Sequence, residues 1–435
     1  MSERAKHIAS VLQYLNENAG YALLRNYEEL PEDNSSRDID IIISREEYRR
    51  CKRELVATLI QGGWQVFSHL DNGRLITFVM AKVTDKQVEL VQWDFFADSS
   101  VHGIELITSE EMLSSREFNG TLYHLSKEYE FLDKYLYNRA VGAEYPAKYS
   151  TLKSEMKDSP IVKDKLKQSF GTESVERVDN MQHLLLNALW CNMRRSPLKT
   201  AIKVIGSLCR YMASYFTADV APTLAFTGAD GAGKTTIIEL LKERLSAVFG
   251  KATTEFHFRP TLIPNLGEAA YSAGVKKEVD REYDKPHRGA KSGVVSSFFR
   301  LCYYTFDYVV GYWAKVKSHT RITKVVIFDR YYSDVIVDSR RSSIYLNRSF
   351  LYGWGQLFIP RMRYNFLITA NADIILSRKR ELDREAIERI NANLDYLATK
   401  RGYYLIENNG TAEEALVKIL TLILEKQHNL NLKRV

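Results

Sequence analysis

The chain has 435 residues, which is enough for two or three domains of roughly 150 residues each. Hydrophobic residues make up 45% and charged residues 26%, a balance that excludes a disordered or fibrous protein. The 61 lysines and arginines exceed the 54 aspartates and glutamates by 7. A net charge of +7 suits anionic partners but is too small to predict nucleic-acid binding, so no nucleic-acid partner is expected.

The cysteines and the hydropathy of the chain predict a cytoplasmic location. The four cysteines are isolated from one another, which argues against a disulfide scaffold or a cysteine-ligated zinc site and favours a reducing compartment. Residues 1–7 contain no apolar run of the kind that forms a secretory signal. An uncharged apolar run of about 20 residues, which would predict a transmembrane helix, is also lacking.

Hydrophobic patterning divides the chain into three regions. Residues 1–149 alternate strand-like and helical runs, which predicts a small α+β domain, and residues 150–218 are helical, which predicts a connector. Residues 219–435 open with a strand, a glycine loop and a helix, followed by further strands and helices, which predicts an α/β domain with a mostly parallel sheet. The strand-like runs of the first region are Tyr21–Leu24, Ile39–Ile43, Leu75–Ala81 and Val88–Phe96.

The strongest chemical signal begins at Thr223, where the sequence reads TLAFTGADGAGKTTIIELL. It fits the phosphate-loop (Walker A) pattern G-x-x-x-x-G-K-[ST], and the apolar strand before it and the helix after it argue against a chance glycine-rich turn. In such a loop the backbone N–H groups and the helix N-terminus face phosphate oxygens. We therefore expect ATP and Mg²⁺ to bind here, with Lys234 on the β- and γ-phosphates and Thr235 on the metal. The predicted nucleotide-binding residues are Gly228, Asp230, Gly231, Ala232, Gly233, Lys234, Thr235 and Thr236.

A second apolar strand ends in Asp329-Arg330-Tyr331. An acid at the carboxyl end of a strand beside a phosphate loop is placed to hold Mg²⁺ or to accept a proton from an acceptor hydroxyl. The neighbouring Arg330 suits a second anion, that of the acceptor. The alternative is an aspartate that merely caps the end of a strand.

The phosphate loop, with its internal aspartate, and the Asp329-Arg330-Tyr331 motif together resemble the thymidylate kinase family, over about residues 223–424. In that family an arginine of an Arg-Glu-Pro motif holds the acceptor phosphate. The resemblance implies this role for Arg259, which precedes Pro260, but the glutamate is missing here. That departure weakens the case for thymidine monophosphate as the acceptor.

The family also closes an arginine-bearing lid over the donor, and residues 377–384 resemble that lid. The resemblance implies that Arg378 and Arg380 stabilise the charge on the transferring phosphoryl group, as guanidinium groups can. A solvated charged helix is the alternative.

Two further stretches, residues 286–308 and 331–341, resemble the thymidylate-kinase-like proteins of bacterial polysaccharide assembly. Together with the missing glutamate, this resemblance implies an ATP-dependent kinase whose acceptor is a sugar, glycan or glycolipid. A nucleoside monophosphate kinase is the alternative, and a nucleotide-gated binding protein is a further one.

Two aspartates in the first region, Asp38 and Asp40, lie at i and i+2 of a predicted strand and so share one face. Asp94 lies in another predicted strand, and three converging carboxylates are suited to Mg²⁺ and a triphosphate. This order resembles the nucleotidyltransferase superfamily, which also has a Gly-Ser or Gly-Gly pair about a dozen residues earlier. Here Arg25 stands near that place and is a candidate to bind an anion. An active transferase, an inactive substrate-binding version and a coincidence all remain open.

From Asn180 to Ala218 the chain has no acidic residue. Apolar residues recur there at spacings of three and four, which predicts an amphipathic helix with one apolar stripe. Its cations are Arg194, Arg195, Lys199, Lys203 and Arg210. Such a helix can lie on an anionic membrane, and residues 194–216 are the candidate segment for peripheral membrane contact. More often such a helix packs on a neighbouring domain or pairs across a homodimer.

Overall fold

The computed structural model describes residues 2–32, 38–83, 88–216, 221–249, 253–264, 293–320, 325–379 and 381–434. The chain forms two compact units, the first of Met1–Lys82, Glu89–Thr217 and Asn431–Val435 and the second of Val83–Val88 and Ala218–Leu430. One unit contains a mixed sheet and the other a parallel sheet, so the fold is α/β. The helices of residues 150–216, predicted as a connector, lie within the first unit.

The strands of the first unit include all four predicted runs and several that the patterning missed. They are β1 (Tyr21–Leu23), β2 (Asp38–Ile43), β3 (Gln65–Asp71), β4 (Leu75–Val83), β5 (Val88–Phe96), β6 (Ser99–Val101), β7 (Ile104–Ile107), β8 (Arg116–Phe118) and β9 (Tyr123–Leu125). Seven of them form a sheet in the order β3-β4-β5-β2-β1-β9-β8, and β6 pairs with β7. Strands β6 to β9 have three or four residues each, too few to show a period of two.

The helices of the first unit cover both faces of its sheet. They are α1 (Glu3–Asn18), α2 (Arg45–Leu59), α3 (Ser109–Ser114), α4 (Lys127–Ala140), α5 (Ser150–Met156), α6 (Pro160–Phe170), α7 (Val175–Asp179), α8 (Leu184–Arg195) and α9 (Pro197–Ser214). Ile41 of β2 packs with α1 and α2 in one apolar core, whereas its neighbour Ile42 packs with α4, α6 and α7 in another. Because successive side chains of a strand point to opposite faces, this central strand contributes to both cores.

The second unit is built on five parallel strands in the order β11-β12-β10-β13-β14. Their bounds are β10 (Thr223–Thr227), β11 (Thr253–His257), β12 (Val325–Asp329), β13 (Tyr364–Thr369) and β14 (Tyr403–Glu407). The central strands are apolar and buried, as expected of a parallel sheet covered on both faces. The parallel α/β sheet predicted for this region is therefore confirmed.

The helices of the second unit follow its strands along the chain. Within the described residues they are α10 (Lys234–Phe249), α11 (Val294–Gly311), α12 (Lys317–Thr320), α13 (Tyr332–Val337), α14 (Ser339–Ser342), α15 (Arg348–Phe358), α16 (Ala372–Arg378), α17 (Arg384–Ala398) and α18 (Ala412–Leu432). Within the described ranges, no helix has the length and apolar character needed to cross a bilayer.

Candidate functional site

The phosphate loop connects the central strand β10 to helix α10. Gly233 has a φ of +92°, and a Cβ at this position would lie 2.3 Å from the Asn408 side-chain nitrogen. Only glycine fits both the backbone conformation and the space. Asn408, which follows β14 and is buried, donates a hydrogen bond of 2.8 Å to the carbonyl oxygen of Ala232. The shape of the loop is thus stabilised by a residue far away in the sequence.

Lys234, the first residue of α10, lies inside the loop. Its Nζ donates hydrogen bonds of 2.8 Å to the carbonyl oxygens of Gly228 and Ala229. Burial, followed by the positive charge of Arg330, lowers the pKa of Lys234 to about 7. A phosphate group in the loop offers stronger acceptors to the same ammonium group. The ammonium group is therefore held against the backbone of the loop, and its contact with donor phosphates stays a prediction.

Asp329 ends β12, the strand that pairs with β10, and lies opposite Phe226 in the register. Its Oδ2 lies 3.2 Å from His257 Nδ1, whereas its buried Oδ1 has no hydrogen-bond partner among the described residues. Burial alone would raise the pKa of Asp329, but His257 and the charge of Lys234 hold it below its ordinary value. An ionised carboxylate with one unsatisfied oxygen is suited to bind Mg²⁺. A second candidate ligand is the hydroxyl of Thr235, which is exposed in the first turn of α10.

A cluster of charged side chains joins the phosphate loop to the segment that follows β12. Asp230, inside the loop, accepts hydrogen bonds from both Arg330 and Arg341. Arg330 also donates a 3.0 Å hydrogen bond to Asp334. Burial alone would raise the pKa of Asp230, but Arg330, Lys234 and Arg341 lower it to about 2. Two guanidinium groups therefore converge on one carboxylate of the phosphate loop.

Sequence reasoning identified Asp230 and Arg330 but gave no role to Arg341 or Asp334. The sequence does contain a local signal for Asp334, because an acid and an arginine four residues apart often form an ion pair, and Asp334 has this spacing from Arg330. The contact between Arg341 and Asp230 spans 111 residues and has no such signal.

The two predicted lid arginines differ in what the structure describes. Arg378, at the end of α16, donates hydrogen bonds to the carbonyl oxygens of Asn408 (3.2 Å) and Gly410 (3.1 Å). Its Nη1 also lies 3.8 Å from the place that a Cβ on Gly233 would take, so it lies beside the phosphate loop. Arg380 lies outside the described residues.

Arg259, the predicted ligand of the acceptor phosphate, lies in a buried ion pair. Its Nη1 donates a 2.9 Å hydrogen bond to Oδ2 of Asp307, and its guanidinium lies 4.4 Å from the ring centre of Tyr304. Both charged side chains are almost completely inaccessible to solvent. Oδ1 of Asp307 also accepts hydrogen bonds from the backbone N–H groups of Leu262 and Ile263. These contacts of Asp307 stabilise the turn after β11 and hold the guanidinium group of Arg259 in an ion pair.

The first unit contains the three aspartates for which the sequence suggested a metal site. Strands β2 and β5 are parallel neighbours, and Asp40 lies directly opposite Asp94. One carboxylate oxygen from each of Asp38, Asp40 and Asp94 lies within 4.8 Å of the other two. Burial and the charge of Asp40 raise the pKa of Asp94 to about 7 and that of Asp38 to about 6. A divalent cation would relieve this repulsion, and its preferred ligands are carboxylate oxygens.

Arg25, at the place where the nucleotidyltransferase pattern has its glycine pair, contacts this cluster directly. Its Nη2 lies 2.7 Å from Oδ2 of Asp40, and its Nη1 lies 3.2 Å from Oδ2 of Asp133. Despite burial, these two carboxylates raise the pKa of Arg25. The guanidinium thus supplies part of the countercharge. Asp133, on α4, was not identified from the sequence because its partner is 108 residues away.

Comparison with known proteins adds little information about function to what the geometry of the two sites provides. No protein-family model matches the chain, and no curated protein matches it. Among solved structures, a thymidylate kinase from Ehrlichia chaffeensis is similar at 17% sequence identity, over 46% of this chain and 98% of that chain, with a TM-score of 0.33. A likeness at this level does not bear on activity or substrate.

Proposed function

We propose that the second unit is an ATP-dependent kinase that transfers the γ-phosphoryl group of ATP to an acceptor. The observation that carries this proposal is that the Lys234 ammonium group contacts the loop after β10 while Asp329 ends the adjacent parallel strand β12, since open α/β sheets bind ligands at the carboxyl ends of their strands. The loop N–H groups and Lys234 bind the donor phosphates, and Thr235 and Asp329 hold Mg²⁺. The metal supplies positive charge to the phosphate oxygens.

The acceptor carries an anionic group next to the hydroxyl or phosphate that is phosphorylated. Arg330 and Arg341 converge on Asp230, and an anion of the acceptor takes the place of that carboxylate. Arg378, which lies beside Gly233 of the loop, stabilises charge on the transferring group.

Within this class we prefer an anionic sugar, glycan or glycolipid of surface-polysaccharide assembly over a nucleoside monophosphate. The resemblance of residues 286–308 and 331–341 supports this choice. The ion pair of Arg259 with Asp307 supports it too, because the two side chains are only 2% and 0% exposed, so Arg259 is less accessible to an acceptor than Arg341, which is 20% exposed.

Transfer from γ-labelled ATP to a panel of glycans, sugar phosphates and nucleotides tests the proposal. Lys234→Ala should lower the rate by about a hundredfold or more, as loss of one charge-stabilising donor does in other enzymes. Lys242→Ala is the matched control, since this lysine lies on the same helix but is exposed and pairs with Glu255. A Lys234→Ala chain that keeps more than about a tenth of the rate contradicts the assignment. Brisk phosphorylation of thymidine monophosphate, lost in Arg330→Ala, favours the nucleotide acceptor instead.

A second candidate function, nucleotidyl transfer by the first unit, is favoured by the convergence of Asp38, Asp40 and Asp94. Its test uses the full chain with Lys234→Ala, so that the phosphate loop no longer dominates triphosphate binding. We expect Mn²⁺-dependent triphosphate binding that disappears in Asp38→Asn/Asp40→Asn. If no metal-dependent binding is detected, the unit has no transferase activity and the cluster has another role.

A further inference from the structure

Helix α9 packs against the rest of the first unit through a mostly polar side, on which Val204 is a partly buried apolar residue. Lys203, at the middle of the helix, forms ion pairs with Asp98 (3.2 Å) and Glu105, which flank or belong to the β6–β7 ribbon. The helix backbone approaches this ribbon closely, because a Cβ on Gly103 would lie 2.4 Å from the carbonyl oxygen of Lys203. Thr200 is buried on the same side. A basic residue that the sequence placed beside the apolar stripe is therefore used to hold the helix in place.

The opposite side of α9 is apolar and faces solvent. Six large apolar side chains, spaced three or four residues apart, have exposed fractions from 53% at Met212 to 81% at Phe216. This outer face consists of Leu198, Ile202, Ile205, Leu208, Met212 and Phe216. It extends over about 27 Å at the rise of an α-helix. On α8, which precedes it, Trp190 and Leu186 are also exposed. A helix with its polar side inward and its apolar side outward indicates a surface that binds something apolar.

The charges of the segment that carries the outer face are all of one sign, and two acidic residues from outside it, Asp98 and Glu105, pair with Lys203 and Lys199. Residues 180–216 contain no aspartate or glutamate, while Arg194, Arg195 and Lys199 are exposed near the start of α9. An exposed aromatic residue lies towards each end of this apolar surface: Trp190 on α8 and Phe216 just after α9. Aromatic side chains and cations beside an apolar stripe are the composition of helices that lie in the interface of an anionic bilayer.

We propose that α9 binds the surface of an anionic lipid bilayer, with the outer face inserted at the level of the headgroups and the first methylene groups. A second copy of this chain fits less well. A twofold contact through this face would bring two sets of cations together without any acid from the same segment to neutralise them. Anionic headgroups provide both the apolar layer and the opposite charge. The proposal is independent of the reaction assigned to the second unit.

Flotation of the full chain with lipid vesicles tests this proposal. The probes are vesicles of phosphatidylcholine alone and vesicles in which about a third of the lipid is phosphatidylglycerol, an anionic lipid that attracts cationic helices. We expect the chain to float with the anionic vesicles, and the bound fraction to fall in Arg194→Gln/Arg195→Gln/Lys199→Gln and with added salt. Ile202→Asp should weaken binding by about tenfold or more, because it places a charge in the inserted face.

The matched control is Ile161→Asp, which adds the same charge at an exposed isoleucine near the start of α6. It should float as the wild type does. Unchanged melting of each variant shows that loss of binding does not arise from unfolding, and Ile205→Ser provides a milder second test. Absence of wild-type flotation with anionic vesicles overturns the proposal, as does an Ile202→Asp chain that floats normally. A wild-type dimer that becomes a monomer in Ile202→Asp, without vesicle binding, identifies the outer face as a contact between copies and also overturns it.

Discussion

Arg330, the residue after the acidic end of β12, donates a hydrogen bond to Asp230 inside the phosphate loop. Arg341 donates to the other carboxylate oxygen of the same aspartate. The phosphate loop is thus linked directly to the two cations proposed for the acceptor. Under the proposed function, an acceptor anion competes with this internal carboxylate.

Substitution of Asp230 by asparagine should expose this competition. Loss of the carboxylate leaves Arg330 and Arg341 with less countercharge, so we expect Asp230→Asn to melt at a lower temperature than the wild type. Inorganic phosphate should then raise its melting temperature more than that of the wild type, because it binds the released guanidinium groups. Asp373→Asn, which removes the exposed partner of Arg384, is the control. An equal response to phosphate in the wild type and Asp230→Asn would count against an anion site at these arginines.

Binding of ATP should be coupled to proton uptake at Lys234. The pKa of this lysine is lowered to about 7 by burial and by Arg330, so at pH 8 it is mostly neutral. Bound phosphates favour the charged form, and the lysine should therefore take up close to one proton (about 0.9) at pH 8 and almost none well below pH 7. Calorimetric titration with ATP in buffers of different ionisation enthalpy measures this number. In Lys234→Ala the difference between the buffers at pH 8 should disappear; its persistence would place the proton on another group.

The parts of the site that the sequence predicted are those that depend on local pattern. The strand–loop–helix order located Lys234, and strand alternation placed Asp38 and Asp40 on one face, because each signal lies within about ten residues. The residues that the sequence did not reveal act through long-range contacts. Asn408 contacts Ala232 across 176 residues, and Arg341 contacts Asp230 across 111. Such pairings depend on the packing of the whole sheet, so they cannot be predicted from composition or periodicity.

Arg259 is a case in which the resemblance and the structure imply different roles. If the arginine serves to hold the fold, Asp307→Asn should destabilise the second unit by about 3–5 kcal/mol, since it leaves a buried guanidinium without its carboxylate. Denaturant unfolding of the full chain measures this loss, with Glu255→Gln as an exposed ion-pair control. If instead Arg259→Gln raises the KM for the acceptor and leaves unfolding unchanged, the arginine is an acceptor ligand.

The stability of the first unit should depend on pH and on Mg²⁺ through Asp94. Burial and the charge of Asp40 raise the pKa of this carboxyl from 3.8 to about 7. For a group whose pKa is raised by folding, the stabilisation is complete below the unfolded value and is lost as the pH rises through the folded one. The free energy of unfolding of the full chain should therefore fall between about pH 4 and pH 7, because Asp94 ionises in the folded state at the upper end of this range. The fall should be smaller in Asp94→Asn, whose side chain cannot ionise.

Magnesium should reverse this loss at high pH. Asp38 and Asp94, whose pKa values are raised to about 6 and about 7, are charged at pH 8, and a cation bound by Asp38, Asp40 and Asp94 neutralises the repulsion in the cluster. We expect millimolar Mg²⁺ to raise the melting temperature of the first unit at pH 8 by at least about 2–4 °C, the shift produced by roughly 1 kcal/mol in a unit of this size. At pH 5 the effect should be small, because protons compete with the metal. Scanning calorimetry of the wild type and Asp94→Asn at both pH values makes the comparison. If Mg²⁺ has the same effect on both chains, Arg25 alone balances the charge of the cluster and no metal binds there.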